Sequence, residues 1–88
     1  MIRENVTIKN RSGLHLRPAG NFAEECLKYQ SDIKFEFKGN TYTAKSVLNV
    51  LSAAVKQGDE ITLIIEGPDE QQSYEGILAA IESGLGEE

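Results

Sequence analysis

The sequence predicts an α+β fold of two layers, a sheet with every helix on one side, its elements in the order βαββαβα. Three observations carry that prediction. Four short stretches alternate apolar and polar residues, three others repeat their apolar residues at helical spacing, and glycine- or proline-containing breaks separate most of them.

Val6 and Ile8 alternate with Thr7 and Lys9, and Ile2 has the same parity, so residues 2 to 9 read as a half-buried strand. Asn10-Arg11-Ser12-Gly13 breaks it. From Pro18 onward Ala19, Phe22, Ala23, Cys26 and Leu27 follow a helical stripe, opposite a wet face of Asn21, Glu24, Glu25 and Lys28. Proline is tolerated in the first turn of that helix. Ile33, Phe35 and Phe37 then alternate with Lys34, Glu36 and Lys38, Gly39-Asn40 supplies a turn, and residues 41–44 suit a returning strand. Ser46 is placed to cap a short helix through Val47, Leu48, Val50 and Leu51, which ends before a turn at Gln57-Gly58-Asp59. Ile61, Leu63 and Ile65 mark the fourth strand, closed by Gly67-Pro68. Asp69, with Gln72 three residues on, resembles a capping box for a last helix with Tyr74, Ile77, Leu78, Ile81 and Leu85 on one stripe. Residues 84–88 read as a fraying tail. Strand order does not follow from this pattern.

With 88 residues, 40% hydrophobic and 26% charged, the chain has room for one small core, and residues 1–88 are expected to form a single domain. Its apolar runs are far shorter than the roughly 20 residues of a membrane helix, and Met1-Ile2-Arg3-Glu4 lacks the apolar core of a signal peptide, so a cytoplasmic protein without membrane insertion is expected. A net charge of −5 argues against nucleic acid, whose phosphates call for clustered Lys and Arg. One cysteine, Cys26, and one histidine make neither a disulfide nor a zinc site, so no metal is expected, and Cys26 reads as a small buried hydrophobe. No serine sits in the nucleophile-elbow context of a hydrolytic triad.

The chemistry is concentrated in Gly13-Leu14-His15-Leu16-Arg17-Pro18-Ala19-Gly20. This segment sets the single histidine at a loop-to-helix junction, two residues from an arginine, where unpaired helix amides and the positive end of the helix dipole favour an anion. A neutral imidazole nitrogen can attack phosphorus, and the cation and amides can then hold the phosphoryl oxygens. Spacing alone favours a plainer reading, in which His15 caps the helix or simply faces solvent.

The segment from Gly13 to Ala19 resembles the active-site signature of the HPr family, the histidine-containing phosphocarriers of the phosphoenolpyruvate-dependent sugar phosphotransferase system. Ala44-Lys45-Ser46-Val47-Leu48 is similar to that family's serine motif before its second helix. Gln57-Gly58-Asp59-Glu60-Ile61 and Glu66-Gly67-Pro68-Asp69-Glu70 fall where the family has its turn, last strand and final-helix entrance, so the resemblance spans essentially the whole chain. Position 16, small in most members, is here the bulky Leu16, and Gly20 stands where Thr or Ala is frequent. The resemblance implies an open-faced β-sandwich, a four-stranded antiparallel sheet covered on one face by three helices. It implies that His15 takes a phosphoryl group from phosphorylated Enzyme I, on the pros nitrogen rather than the tele nitrogen, and passes it to Enzyme II A domains, with Arg17 stabilising the group. Leu16, Val47, Leu48 and Leu51 would contribute to the docking surface. Ser46 would be a regulatory site for an HPr kinase, its phosphorylated form binding a catabolite-control regulator. Such a protein is a carrier and a substrate of its partners, not an enzyme, needs no cofactor, and is expected to be a monomer. Two rivals remain: a regulatory module of the same fold acting through Ser46, against which His15 counts because the non-carrier relatives lack that histidine, and an unrelated small α+β interaction domain.

Overall fold

A computed structural model describes residues 1–87. Its elements follow the expected order: β1 (Ile2–Thr7), α1 (Leu16–Leu27), β2 (Asp32–Phe37), β3 (Asn40–Thr43), α2 (Val47–Ser52), β4 (Glu60–Glu66) and α3 (Glu70–Glu82). The strands form one sheet in the order β1-β4-β2-β3 with every neighbouring pair antiparallel.

Register turns the alternating patterns into one apolar face. Val6 pairs with Ile61, Phe35 with Leu63 and Ile33 with Ile65, and all six side chains are buried. The other face is polar: the Thr62 hydroxyl on β4 donates to Asn5 Oδ1 on neighbouring β1 at 2.8 Å, and Arg3 on β1 reaches across β4 to Glu36 on β2 at 2.6 Å. The helices supply the second layer: Ala19, Phe22, Ala23 and Cys26 from α1, Val50 from α2, and Ile77 and Ile81 from α3 are all buried. Phe22 meets Phe35 edge-on with ring centroids 5.9 Å apart, and Phe35 stacks on Tyr42 at 5.2 Å. Truncating a buried Phe at such a junction typically costs about 3–5 kcal/mol. The fold is the four-stranded antiparallel open sheet covered by three helices that the sequence predicts.

Three local expectations are corrected. The β2–β3 turn sits one residue earlier than Gly39-Asn40: Lys38 (φ 50°) and Gly39 (φ 82°) take the two positive-φ positions of a type I′ hairpin, and Asn40 already pairs with Phe37. The expected capping box at α3 is absent. The Asp69 carboxylate instead accepts from the amides of Gln30 and Ser31, both at 2.9 Å, and from the Ser31 hydroxyl, so it ties the α1–β2 connection to the start of α3. Finally, residues 84–87 do not fray. Leu85 is buried, its carbonyl accepts from Asn21 Nδ2 at 2.8 Å, and the Glu87 carboxylate accepts from the Ser12 amide at 3.1 Å, the Ser12 hydroxyl at 2.6 Å and Asn10 Nδ2 at 2.9 Å. Glu88 lies outside the described residues.

Candidate functional site

The loop between β1 and α1 delivers His15 to its position by a chain of backbone constraints. Ile8 prolongs the β1 pairing, donating to the Asp59 carbonyl at 2.9 Å and accepting from the Gly58 amide at 2.8 Å. The chain then turns at Asn10–Gly13, closed by the Gly13 amide on the Asn10 carbonyl at 3.1 Å and by Asn10 Nδ2 on the Gly13 carbonyl at 2.6 Å. Gly13 has φ +63°, and a Cβ there would stand 2.4 Å from the Val55 carbonyl oxygen, so only glycine fits. Leu14 is buried and its amide donates to that same carbonyl at 2.9 Å. His15 follows, and with it the chain returns to solvent after the buried Gly13 and Leu14.

His15 is the N-cap of α1, with extended backbone (φ −79°, ψ −174°), and its carbonyl accepts from the Ala19 amide at 2.7 Å. Its side chain makes no capping hydrogen bond and is exposed. The cap reading of the sequence therefore fails for the ring, which is left available. Leu16, Arg17 and Pro18 occupy the first three helical positions. Ala19 is the first donor inside the helix and Pro18 has no N–H, so the amides of Leu16 and Arg17 are the two that lack an acceptor within the helix. The buried Pro18 pins this turn to the core. Arg17 is exposed and carries no ion pair among the described residues.

A nucleophilic ring, two unpaired amides, a helix N-terminus and a guanidinium thus lie within three consecutive residues. The arrangement can accept a phosphoryl group and hold its oxygens.

α2 packs against α1, and the segment that follows it carries the Val55 carbonyl that receives Leu14. Ser46 caps α2, its hydroxyl accepting from the Asn49 amide at 3.3 Å, and it is half-buried. Beside it Leu48 is 78% exposed and Val47 37%, while Leu16 on α1 is 64% exposed. Leu51 is half-buried and packs against the core, so it contributes less surface than the other three. Cys26 stands apart from all of this: it is buried in α1, and burial, aided by the nearby Glu25 charge, pushes its thiol up to about 12, where it is inert. Among the described residues no helix is long and apolar enough to cross a membrane, and no cluster of His, Cys, Asp and Glu is arranged to hold a metal ion. The residues that sequence reading misses are Asn10, Ser12 and Glu87, since nothing in the spacing of a Gly- and Glu-rich end announces a contact with a loop 75 residues away.

The family model for the HPr component of the phosphotransferase system and its phosphorylation site matches residues 2–83. An HPr-like protein Crh from Halalkalibacterium halodurans is 40% identical over 93% of this chain and 98% of its own length. A phosphocarrier protein HPr from Cupriavidus necator is 33% identical over 99% of this chain and 98% of its own. The crystal structure of HPr-C-His from Thermoanaerobacter tengcongensis superposes with a TM-score of 0.95 at 38% identity, covering 100% of this chain and 99% of that one; HPr from the same organism has also been solved as a dimer.

Proposed function

The chain belongs to the HPr family of the phosphotransferase system, and from that premise we propose that His15 is its phosphoryl acceptor. The observation that carries this reading is the exposed, non-capping imidazole at the N-terminus of α1 beside Arg17. The lone pair of Nδ1 attacks the phosphorus carried by Enzyme I, the bond to the donor's own atom breaks, and a P–N bond to His15 forms. The Leu16 and Arg17 amides and the Arg17 guanidinium receive the phosphoryl oxygens. The same steps in reverse order hand the group to an Enzyme II A domain. The chain supplies geometry and charge for these transfers, and its partners drive them. Leu16, Val47 and Leu48 form the apolar docking surface.

Incubation with phosphoenolpyruvate and Enzyme I should add one phosphoryl group by intact mass. The adduct should be labile in acid and stable in base, as a phosphoramidate is, and absent from His15→Ala. An adduct that persists in that variant would place the phosphate elsewhere.

A second reading, regulation through Ser46, draws on the half-buried hydroxyl at the cap of α2 and on the relatives named Crh. It complements the carrier reading, because Ser46 borders the exposed Val47 and Leu48.

A further inference from the structure

We infer that Glu87 is a positioning residue for phosphoryl transfer at His15, its carboxylate latching the segment after α3 onto the loop that presents the imidazole. The inference rests on the reading of His15 as acceptor.

The latch is built from both sides. After α3 the chain reverses through Gly84 (φ +92°), Leu85 (φ 52°) and Gly86 (φ +87°). Leu85 is buried, and Asn21 on the first helix holds its carbonyl. A Cβ on Gly86 would come within 2.4 Å of that Asn21 amide nitrogen, so the segment lies close against α1. This path brings Glu87 to the loop. One carboxylate oxygen accepts from the Ser12 amide and from Asn10 Nδ2, and the other from the Ser12 hydroxyl. Asn10 Nδ2 is shared: it also donates to the Gly13 carbonyl at 2.6 Å. Glu87 therefore fixes the orientation of the Asn10 amide, which fixes the peptide after Gly13, one residue before the backbone of His15.

Asn10 is buried, and its Oδ1 has no partner among the described residues, so its orientation rests on what its nitrogen can reach. The Ser12 hydroxyl, Asn10 amide and Ser12 amide, with the charge of Arg11, hold the Glu87 carboxyl below the usual carboxylate range, so the latch is charged at neutral pH. Geometry matters here because a displacement of about 1 Å at a reacting group can slow transfer by as much as a hundredfold.

The experiment compares wild type with Glu87→Ala, Glu87→Gln and, as a control, Glu82→Gln, which loses only the exposed pair of Glu82 with Lys9. Two readouts are taken: steady-state phosphorylation by Enzyme I, and the NMR shifts and hydrogen exchange of the Ser12, Leu14 and His15 amides. Glu87→Ala should lower kcat about tenfold, with little change in KM, and should shift those three amides. Glu87→Gln, which keeps an acceptor oxygen, should recover part of the loss, and Glu82→Gln should behave as wild type. A Glu87→Ala protein that transfers at the wild-type rate, or faster because a repelling charge is gone, overturns the inference. So does a loss confined to KM. Failure of wild type to be phosphorylated at all would instead remove the acceptor reading, while the amide shifts would still report whether the latch orders the loop.

Discussion

At the scale of single residues, the site depends on what the first turn of α1 lacks. Pro18 removes one amide from the helix start and His15 declines to cap the rest, so Leu16 and Arg17 present their N–H groups outward beside a cationic side chain. In the proposed transfer Arg17 would give a charge-assisted bond to an anion present only during the reaction, so Arg17→Ala should slow phosphorylation by roughly 10²-fold, within the range seen when one stabilising donor is removed, and leave the fold intact. Stopped-flow phosphorylation beside circular dichroism checks this; wild-type kinetics would exclude Arg17 from the site. Ser46 separates stability from function. Removing the cap in Ser46→Ala should cost about 1 kcal/mol. An aspartate there keeps an N-cap acceptor and adds negative charge at the positive end of α2, so Ser46→Asp should melt no lower than wild type. If Val47 and Leu48 dock an acidic Enzyme I surface as proposed, that charge would oppose the contact, and Enzyme I should phosphorylate this variant more slowly. Equal rates for wild type, Ser46→Ala and Ser46→Asp would reduce Ser46 to a cap.

Among elements, the junction most sensitive to a single charge joins the α1–β2 connection to α3 through Asp69. The Ser31 hydroxyl and the Gln30 amide, with the Ser31 amide and Ser73 hydroxyl behind them, lower the Asp69 carboxyl to about 2 from its ordinary 3.8. A carboxyl depressed on folding stabilises the native state above its unfolded value, and that contribution is lost as pH falls through the folded value. Asp69→Asn should therefore melt below wild type at pH 7, and the gap in Tm should narrow as pH drops from about 4 to 2. A gap that stays constant over that range would show that the Asp69 charge does not matter. The same junction marks where sequence reading stops. Asp69 with Gln72 looks like a box that caps its own helix, yet its oxygens are claimed by Gln30 and Ser31, 39 and 38 residues away. Local rules rank local partners, and a tertiary partner with two free amides wins. The strands were legible because period-two alternation coincides with one buried face, as Ile33, Phe35 and Phe37 show. Their order was not, because the pattern states which face is buried and not which strand lies alongside. The β2–β3 turn shifted by one residue because Lys38 accepts a positive φ that local preference assigns to Gly and Asn.

Over the whole molecule, the site was readable to the extent that it is contiguous. His15, Arg17 and Pro18 announce themselves within four positions, and Ser46 through its own helix start. What the chain brings from afar, Val55 under Gly13 and Glu87 against Ser12, carries no local signal. We propose that the working form is the monomer, which leaves one face open to successive partners, although an HPr of Thermoanaerobacter tengcongensis has been solved as a dimer. Sedimentation at micromolar concentration should return the mass of one chain, and a stable dimer would overturn that assignment. Everything proposed for the chain turns on one ring nitrogen of His15 as the phosphoryl carrier. The most direct test is NMR of the uniformly ¹⁵N-labelled protein during turnover with phosphoenolpyruvate and Enzyme I, reading the phosphorus–nitrogen coupling. A single phosphorus bonded to Nδ1 of His15 is expected; phosphorus bonded to Nε2, attached to Ser46, or absent from the chain would rule that assignment out.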